Sequence, residues 1–352
     1  MSDAVVWTLI VLAILAVQAA EGPPGEAAKA RPAPRRGESL STVFSGALDG
    51  LASATKAIIA AGAGLALIVG LLSLAGANGS TSGAAVDRNQ QIVSGALQVV
   101  AGGLSLLLFY TGTSRVPGLR NLRPAAPISW LAIFLLLESL AANFGTLTTA
   151  SGGAVVGGTP TLRPATGPSA RDLMLGEVPF LAIGIAAVGP VVRRNLRETA
   201  ERLGVWPLRL PWWVVGIAAG VVLVPLGGYV VELLNHLASA SCVAQTSQAE
   251  QAIVGVGRTG LEQAGIAIAA GVCEELLFRG ALQPRVGIVL SSVVWASYHL
   301  QYLCNGLPSP ANLYLVLLGL LLGVLRKWGG LWPAILAHSV YDGLILLHLL
   351  GA

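Results

Sequence analysis

Charge is what this sequence has least of. Only 11% of its 352 residues are Asp, Glu, Lys or Arg, about half the share of a soluble domain. That shortage, beside 54% hydrophobic residues, excludes a disordered protein, a fibrous repeat and a nucleic-acid binder. Cysteine is scarce too. Cys242, Cys273 and Cys304 lie far apart, with no CxxC, no zinc spacing and no dense disulfide framework. No internal repeat is found. A basic stretch is lacking before the first apolar run, where Asp3 is the one charged residue, while Lys29, Arg31, Arg35 and Arg36 follow it. This order points to an uncleaved anchor with its N-terminus outside; cleavage after Ala19-Ala20 is the other reading.

What is present is a series of apolar runs, most of them near the roughly 17–25 residues that cross a bilayer. Ten candidate spans are read at about 4–20, 57–76, 92–111, 128–149, 177–192, 211–235, 260–283, 286–304, 312–325 and 331–350. The fold class expected is therefore all-α, a polytopic transmembrane bundle. Alternating from an outside start puts 17 of the 21 basic residues on the cytoplasmic side, as the positive-inside rule requires. Both termini are then outside. The weakest span is 177–192, short and carrying Pro190.

The chain divides accordingly. Residues 1–20 form the anchor and 21–56 a Pro- and Ala-rich linker that cannot bury enough apolar surface to fold alone. Residues 57–176 form a transmembrane extension, and 177–352 the core that carries the chemistry. Arg193 to Arg209 reads as an amphipathic cytoplasmic segment, with Leu196, Ala200, Leu203 and Val205 available to the membrane surface. Gly216–Gly220 and Gly319–Gly323 are GxxxG pairs that let helices approach closely.

Ionisable side chains inside a membrane cost roughly 2.5–3.5 kcal/mol each on insertion scales, so they need partners or a purpose. The core collects them. Glu274 and Glu275 sit in the seventh run with Arg279 four residues after Glu275; His299 lies in the eighth, four after Trp295; His338 and Asp342 lie four apart in the tenth. At about 1.5 Å per residue, Glu274, His338, Asp342 and His299 fall roughly 12–20 Å from the cytoplasmic turns, one layer near mid-bilayer. Such a set suits hydrolysis. A carboxylate in low dielectric takes a proton from water readily, an imidazole orients that water or protonates the leaving amine, and a second polar pair stabilises the oxyanion. Arg279 would hold Glu275 ionised, and Trp295 reads as cavity wall. The ligands Glu274, His299, His338 and Asp342 also suit a divalent metal such as zinc.

Other polar positions read more plainly. Cys273 is a small hydrophobe, since a helix turns it away from Glu274. Cys242 and Cys304 share the outer side, which permits a disulfide or two free thiols. Glu138, mid-span in the fourth run, reads as structural. Glu232, His236 and His348 fall at water-facing span ends.

Glu274-Glu275-Leu276-Leu277-Phe278-Arg279 resembles the EExxxR motif of the CPBP intramembrane proteases, which include type II CAAX prenyl endopeptidases and bacterial abortive-infection or bacteriocin self-immunity proteins. Trp295–His299 is similar to that family's second motif, with Trp where Phe is commoner. His338–Asp342 is similar to the third, HxxxN, with Asp in place of Asn. The resemblance implies that Glu274 activates water with His299 as partner, that His338 and Asp342 stabilise the oxyanion or bind metal, and that Glu275 and Arg279 support them. Asp at 342 matters, because an ionised Asp cannot donate to an oxyanion as Asn does. It stays protonated, orients His338, or ligates a metal. The implied substrate is a membrane-associated peptide or lipidated protein, such as a prenylated CAAX tail. A non-proteolytic immunity or scaffold protein using the same cluster for binding is the alternative. A proton-coupled transporter is weakened by the missing inverted repeat.

Overall fold

A computed structural model describes residues 169–190, 194–257, 259–302, 304 and 309–347, two apolar helical stretches at 63–72 and 98–107, and a few isolated positions before residue 100. Most of the anchor, the linker, the fourth span with Glu138, and His348 lie outside the described residues. Among those described the backbone is all-helical, without a β-strand.

The elements are α1 (Ala170–Gly176), α2 (Val178–Ala186), α3 (Leu196–Leu203), α4 (Leu210–Asn235), α5 (Ala240–Val254) and α6 (Gly260–Glu275). A π-helical stretch, Leu276–Leu282, joins α6 to α7 (Gln283–Ser297). A short turn, Leu300–Tyr302, precedes α8 (Pro310–Gly329) and α9 (Leu331–Leu346). Polar residues mark the starts. Thr259 and Glu262 form a capping box on α6, Ser309 and Asn312 one on α8, and Asn195 and Glu198 one on α3. Each supplies acceptors for N–H groups that a helix leaves unpaired. Of the described helices, α4 and α8 are long and apolar enough to cross a membrane. The side of α4 turned away from the core is apolar, with Val214, Val222 and Tyr229 exposed, as a lipid-facing surface would be.

The glycine pairs bring the helices together. A Cβ on Gly216 would stand 2.5 Å from the Pro333 carbonyl oxygen, and one on Gly220 2.7 Å from that of Ala337, so α4 lies directly on α9. On α8, a Cβ at Gly323 would meet Ile288 of α7 at 2.6 Å. Side chains use the same openings. Arg279 Nη2 donates to the Gly319 carbonyl at 3.4 Å and Gln283 Nε2 to that of Gly323 at 2.9 Å. Between these helices the core holds Leu223, Phe278, Val294, Trp295, Leu318 and Leu322.

Several boundaries differ from the expected ones. The run read as a span over 177–192 is helical only over Val178–Ala186, and a separate short helix, α1, precedes it from Ala170 to Gly176. The seventh run is helical to Glu275 and then widens into π-type bonding. The eighth ends as a helix at Ser297. Between the sixth and seventh runs, Ala240–Val254 form a further helix, α5, capped by Ser239. Leu203, expected on the membrane surface, is buried against Gly280; tertiary packing recruits it where amphipathic pattern alone assigned it to lipid. Glu232 and His236 are exposed, as expected of span ends. Cys242 and Cys304 form a disulfide.

The π-helical stretch frees carbonyls, and side chains take them up. Ser291 donates to Phe278 O at 2.7 Å, Arg202 to Gly280 O at 3.2 Å and Arg285 to Ala281 O at 3.0 Å. A second bond from Arg285 reaches Ala187 O at 2.7 Å, and Arg194 donates to the adjacent Val188 O. Three guanidinium groups are thereby fixed side by side on peptide carbonyls at one end of the bundle. In α3, burial and the guanidiniums of Arg285, Arg194 and Arg326 push the pKa of Arg202 down to about 9, opposing its charge.

Candidate active site

Inside the bundle, α6, α7 and α9 bring the expected residues to one place. Glu275 and Arg279 have no exposure at all; Glu274, Trp295 and His338 are buried; His299 and Asp342 are half-buried. Two connected networks result.

The first runs through Glu275. Arg279 Nη1 donates to Glu275 Oε1 at 2.8 Å, and the guanidinium lies 4.5 Å from the Trp295 ring centre. His338 Nδ1 reaches the same Glu275 oxygen at 3.0 Å, while its Nε2 faces Asp342 Oδ2 at 3.3 Å. Carboxylates only accept, so the imidazole donates at whichever nitrogen carries hydrogen, and Glu275 fixes the ring plane. Of the three roles open to Asp342, orienting His338 is the one this geometry displays. It also means that Asp342 covers the His338 nitrogen that an oxyanion would need.

The second network holds Glu274. Trp295 Nε1 donates to Glu274 Oε2, so Trp295 binds the carboxylate directly and is more than the cavity wall expected. His299 Nδ1 lies 3.1 Å from the carbonyl of Trp295, one helical turn back. A carbonyl cannot donate, so this bond needs the hydrogen on Nδ1, which in the neutral tautomer leaves the lone pair on Nε2. Asn312 Nδ2 donates to the His299 carbonyl at 3.0 Å and fixes the turn where α7 has ended. Trp295 is the hub, with ring centres 5.0 Å from His299 and 5.5 Å from His338.

The metal reading fares differently. Among the described residues no three His, Cys, Asp or Glu side chains are placed to hold an ion together. Both nitrogens of His338 already face carboxylates and Glu274 is bound by an indole, so Glu274, His299, His338 and Asp342 do not make a zinc-type ligand set. Cys273 is a free buried thiol.

One acidic group among the core helices was missed. Glu177, at the break between α1 and α2, has one carboxylate oxygen buried without a hydrogen-bond partner. Placed at the first position of an apolar run, it reads as a span edge. The helix α1 before it moves that edge outward, and roughly 14 Å of helix, at about 1.5 Å per residue, separate it from the end of α2.

The class these residues define is a helical membrane protein with a buried cluster of acids and imidazoles between its helices. Comparison with known sequences specifies it further. Residues 261–344, the stretch that carries all three motifs, match the family described as type II CAAX prenyl endopeptidase Rce1-like. The chain is also 24% identical over 164 residues, 46% of its length and 81% of the relative's, to the uncharacterized protein YpbD of Bacillus subtilis (strain 168). No solved structure matches it.

Proposed function

We propose that this protein is an intramembrane endopeptidase that hydrolyses a peptide bond of a membrane-associated substrate, of the prenylated CAAX type that the family match suggests. One observation supports it most: Glu274 is held by Trp295, whose own carbonyl fixes the His299 tautomer with Nε2 free. A water between Glu274 and Nε2 has two acceptors for its hydrogens. Glu274 takes a proton as the oxygen attacks the scissile carbonyl. The oxyanion then draws the His338 N–H away from half-exposed Asp342, and Glu275, locked by Arg279, keeps the ring aimed during that exchange. Glu274 then gives that proton to the nitrogen as the C–N bond breaks, so the acid and a neutral amine leave. Three acids and two imidazoles serve these steps, and none is routed through a metal.

The topology belongs to the same proposal: about ten spans, with an N-terminal anchor, a linker, an extension and a core over 177–352 entered from the cytoplasm. The Cys242–Cys304 disulfide supports the orientation. Charge counting puts both cysteines outside, and disulfides persist in oxidising compartments.

The test is cleavage of a farnesylated peptide by the reconstituted full chain. Glu274→Gln lowers turnover about 10²–10⁴-fold while retaining the helical fold. Wild-type turnover in Glu274→Gln sinks the catalytic assignment. A wild type that binds the peptide and never cleaves it supports the scaffold reading instead.

A further inference from the structure

The arginine-bearing end of the bundle holds a cavity that the proposed reaction does not use. Its volume is about 290 Å³, and Gln283, Pro284, Gly287 and Ile288 at the start of α7 face Arg326 and Lys327 at the end of α8 across it. Contacts fix both walls. Gln283 Nε2 donates to the Gly323 carbonyl at 2.9 Å, and Ile288 closes on the same glycine. Arg326 lays its guanidinium on Gly204 at the end of α3, where a Cβ would stand 2.3 Å from Cζ. At Gly287 the backbone takes a φ of 87°, and helix resumes at Ile288. The first amides of a resumed helix lack partners one turn back. Among the described residues no acid answers this charge. Neither Arg326 nor Lys327 forms an ion pair, and Arg326 Nε is buried without an acceptor. On the opposite wall Gln283 is 8% exposed, and its Oε1 has no partner either. Both acids of α3 are engaged elsewhere: Glu198 accepts from the Asn195 N–H, and Glu201 pairs with Arg197. Beyond the cavity the surface turns apolar. Leu313, Leu317 and Leu321 are exposed at every fourth residue of α8, Val289 is exposed beside Ile288, and Trp328 is exposed at the end.

We propose that this cavity binds the phosphodiester of an anionic lipid, with the acyl chains lying along the leucine ridge of α8. The inference does not rest on the hydrolase reading. A phosphate oxygen is the acceptor that Arg326 lacks; a guanidinium meets phosphate as a fork, and Lys327 adds a point charge. The ridge is what favours a lipid over a free phosphate. Leu321 lies roughly 9 Å along the axis from Lys327, at about 1.5 Å per residue, so charge at the headgroup level passes directly into apolar surface. The exposed indole of Trp328 belongs at that boundary. The proposed topology turns this end to the cytoplasm, where the leaflet is anionic and basic pockets between helices take lipid headgroups. Gly204 accepts from the Leu331 N–H at 2.8 Å, so a phosphate on Arg326 ties the ends of α3 and α8 and the start of α7 together.

Native mass spectrometry of the full chain in a neutral detergent reads the lipid bound per intact molecule. Phosphatidylglycerol and phosphatidylcholine with the same acyl chains are titrated, and inorganic phosphate is added as competitor. Phosphatidylglycerol is expected to bind about tenfold more tightly than phosphatidylcholine. Lys327→Gln weakens it about fivefold, the worth of one cation at a membrane surface, and Arg326→Gln together with Lys327→Gln about 30-fold. Arg197→Gln removes the same charge from an exposed site on α3 and changes the affinity less than about twofold. Because Arg326 also packs on Gly204, exposed Lys327 carries the test by itself if the double variant does not fold. Equal affinity for the two lipids overturns the proposal. Equal losses in Arg197→Gln and Lys327→Gln also overturn it, since the attraction is then one of diffuse charge. Inorganic phosphate that displaces phosphatidylglycerol at equal concentration makes this a site for a soluble anion and overturns the lipid assignment.

Discussion

Two regions of this molecule keep charge out of water by opposite means. In the central layer, acids meet cations or indole: Arg279 with Glu275, His338 between Glu275 and Asp342, Trp295 on Glu274. At the arginine-bearing end, guanidiniums settle on neutral carbonyls that the π-helical stretch and the end of α2 leave open. The central layer is a charge network, in which each member orients another. The rim is a set of clamps, in which each cation ties two backbone segments. A network is sensitive to the loss of one charge; a clamp is sensitive to geometry and reach.

The sharpest way to break the contrast is at the buried pair. Arg279→Met leaves Glu275 facing only His338 in a site without exposure, and is expected to cost about 3–5 kcal/mol in detergent-solubilised thermal unfolding. Adding Glu275→Met to it recovers most of that stability, because a well-packed apolar pair replaces an ion pair at little cost. Activity does not return, since His338 has lost its guide. A double variant as unstable as the single one would show that the charges are not a unit.

At the rim the effects are smaller. Arg285→Ala removes both carbonyl bonds and is expected to cost about 1.5–3 kcal/mol, the scale of hydrogen bonds from a charged group. Arg285→Lys recovers little, as an ammonium lacks the fork that spans two carbonyls. Full recovery by lysine would mean that charge alone matters there. The smallest effect belongs to Arg202. Neighbouring guanidiniums and burial oppose its charge, so added salt, which screens that repulsion, stabilises the wild type. Arg202→Gln keeps a donor for Gly280 O, changes stability by less than about 1 kcal/mol, and weakens the salt dependence. An unaltered salt response locates the repulsion elsewhere.

Much of the site was legible because mid-membrane ionisable residues are costly and therefore conspicuous. Glu274, Glu275, Arg279, His299, His338 and Asp342 stand out of apolar runs, and their spacings by four place partners on one helix face. The GxxxG pairs likewise state which faces approach, and both contacts are found. Less legible were helix α5, which lies between two apolar runs, and Glu177, at the edge of a run whose true start was hidden by α1. Trp295 reads in the sequence as cavity wall only. Its indole N–H has meaning only once Glu274 is known to lie across from it.

The sequence alone therefore determined an apolar chain, helical throughout its described residues apart from turns, with its acids and imidazoles in three apolar runs, because hydrophobic length and the cost of buried charge are local properties. Which oxygen meets which nitrogen was settled only in three dimensions. His338 faces two carboxylates, Trp295 binds Glu274, and Cys242 joins Cys304 across 62 residues. Those pairings depend on how helices cross, and crossing is fixed by packing between segments far apart in the chain.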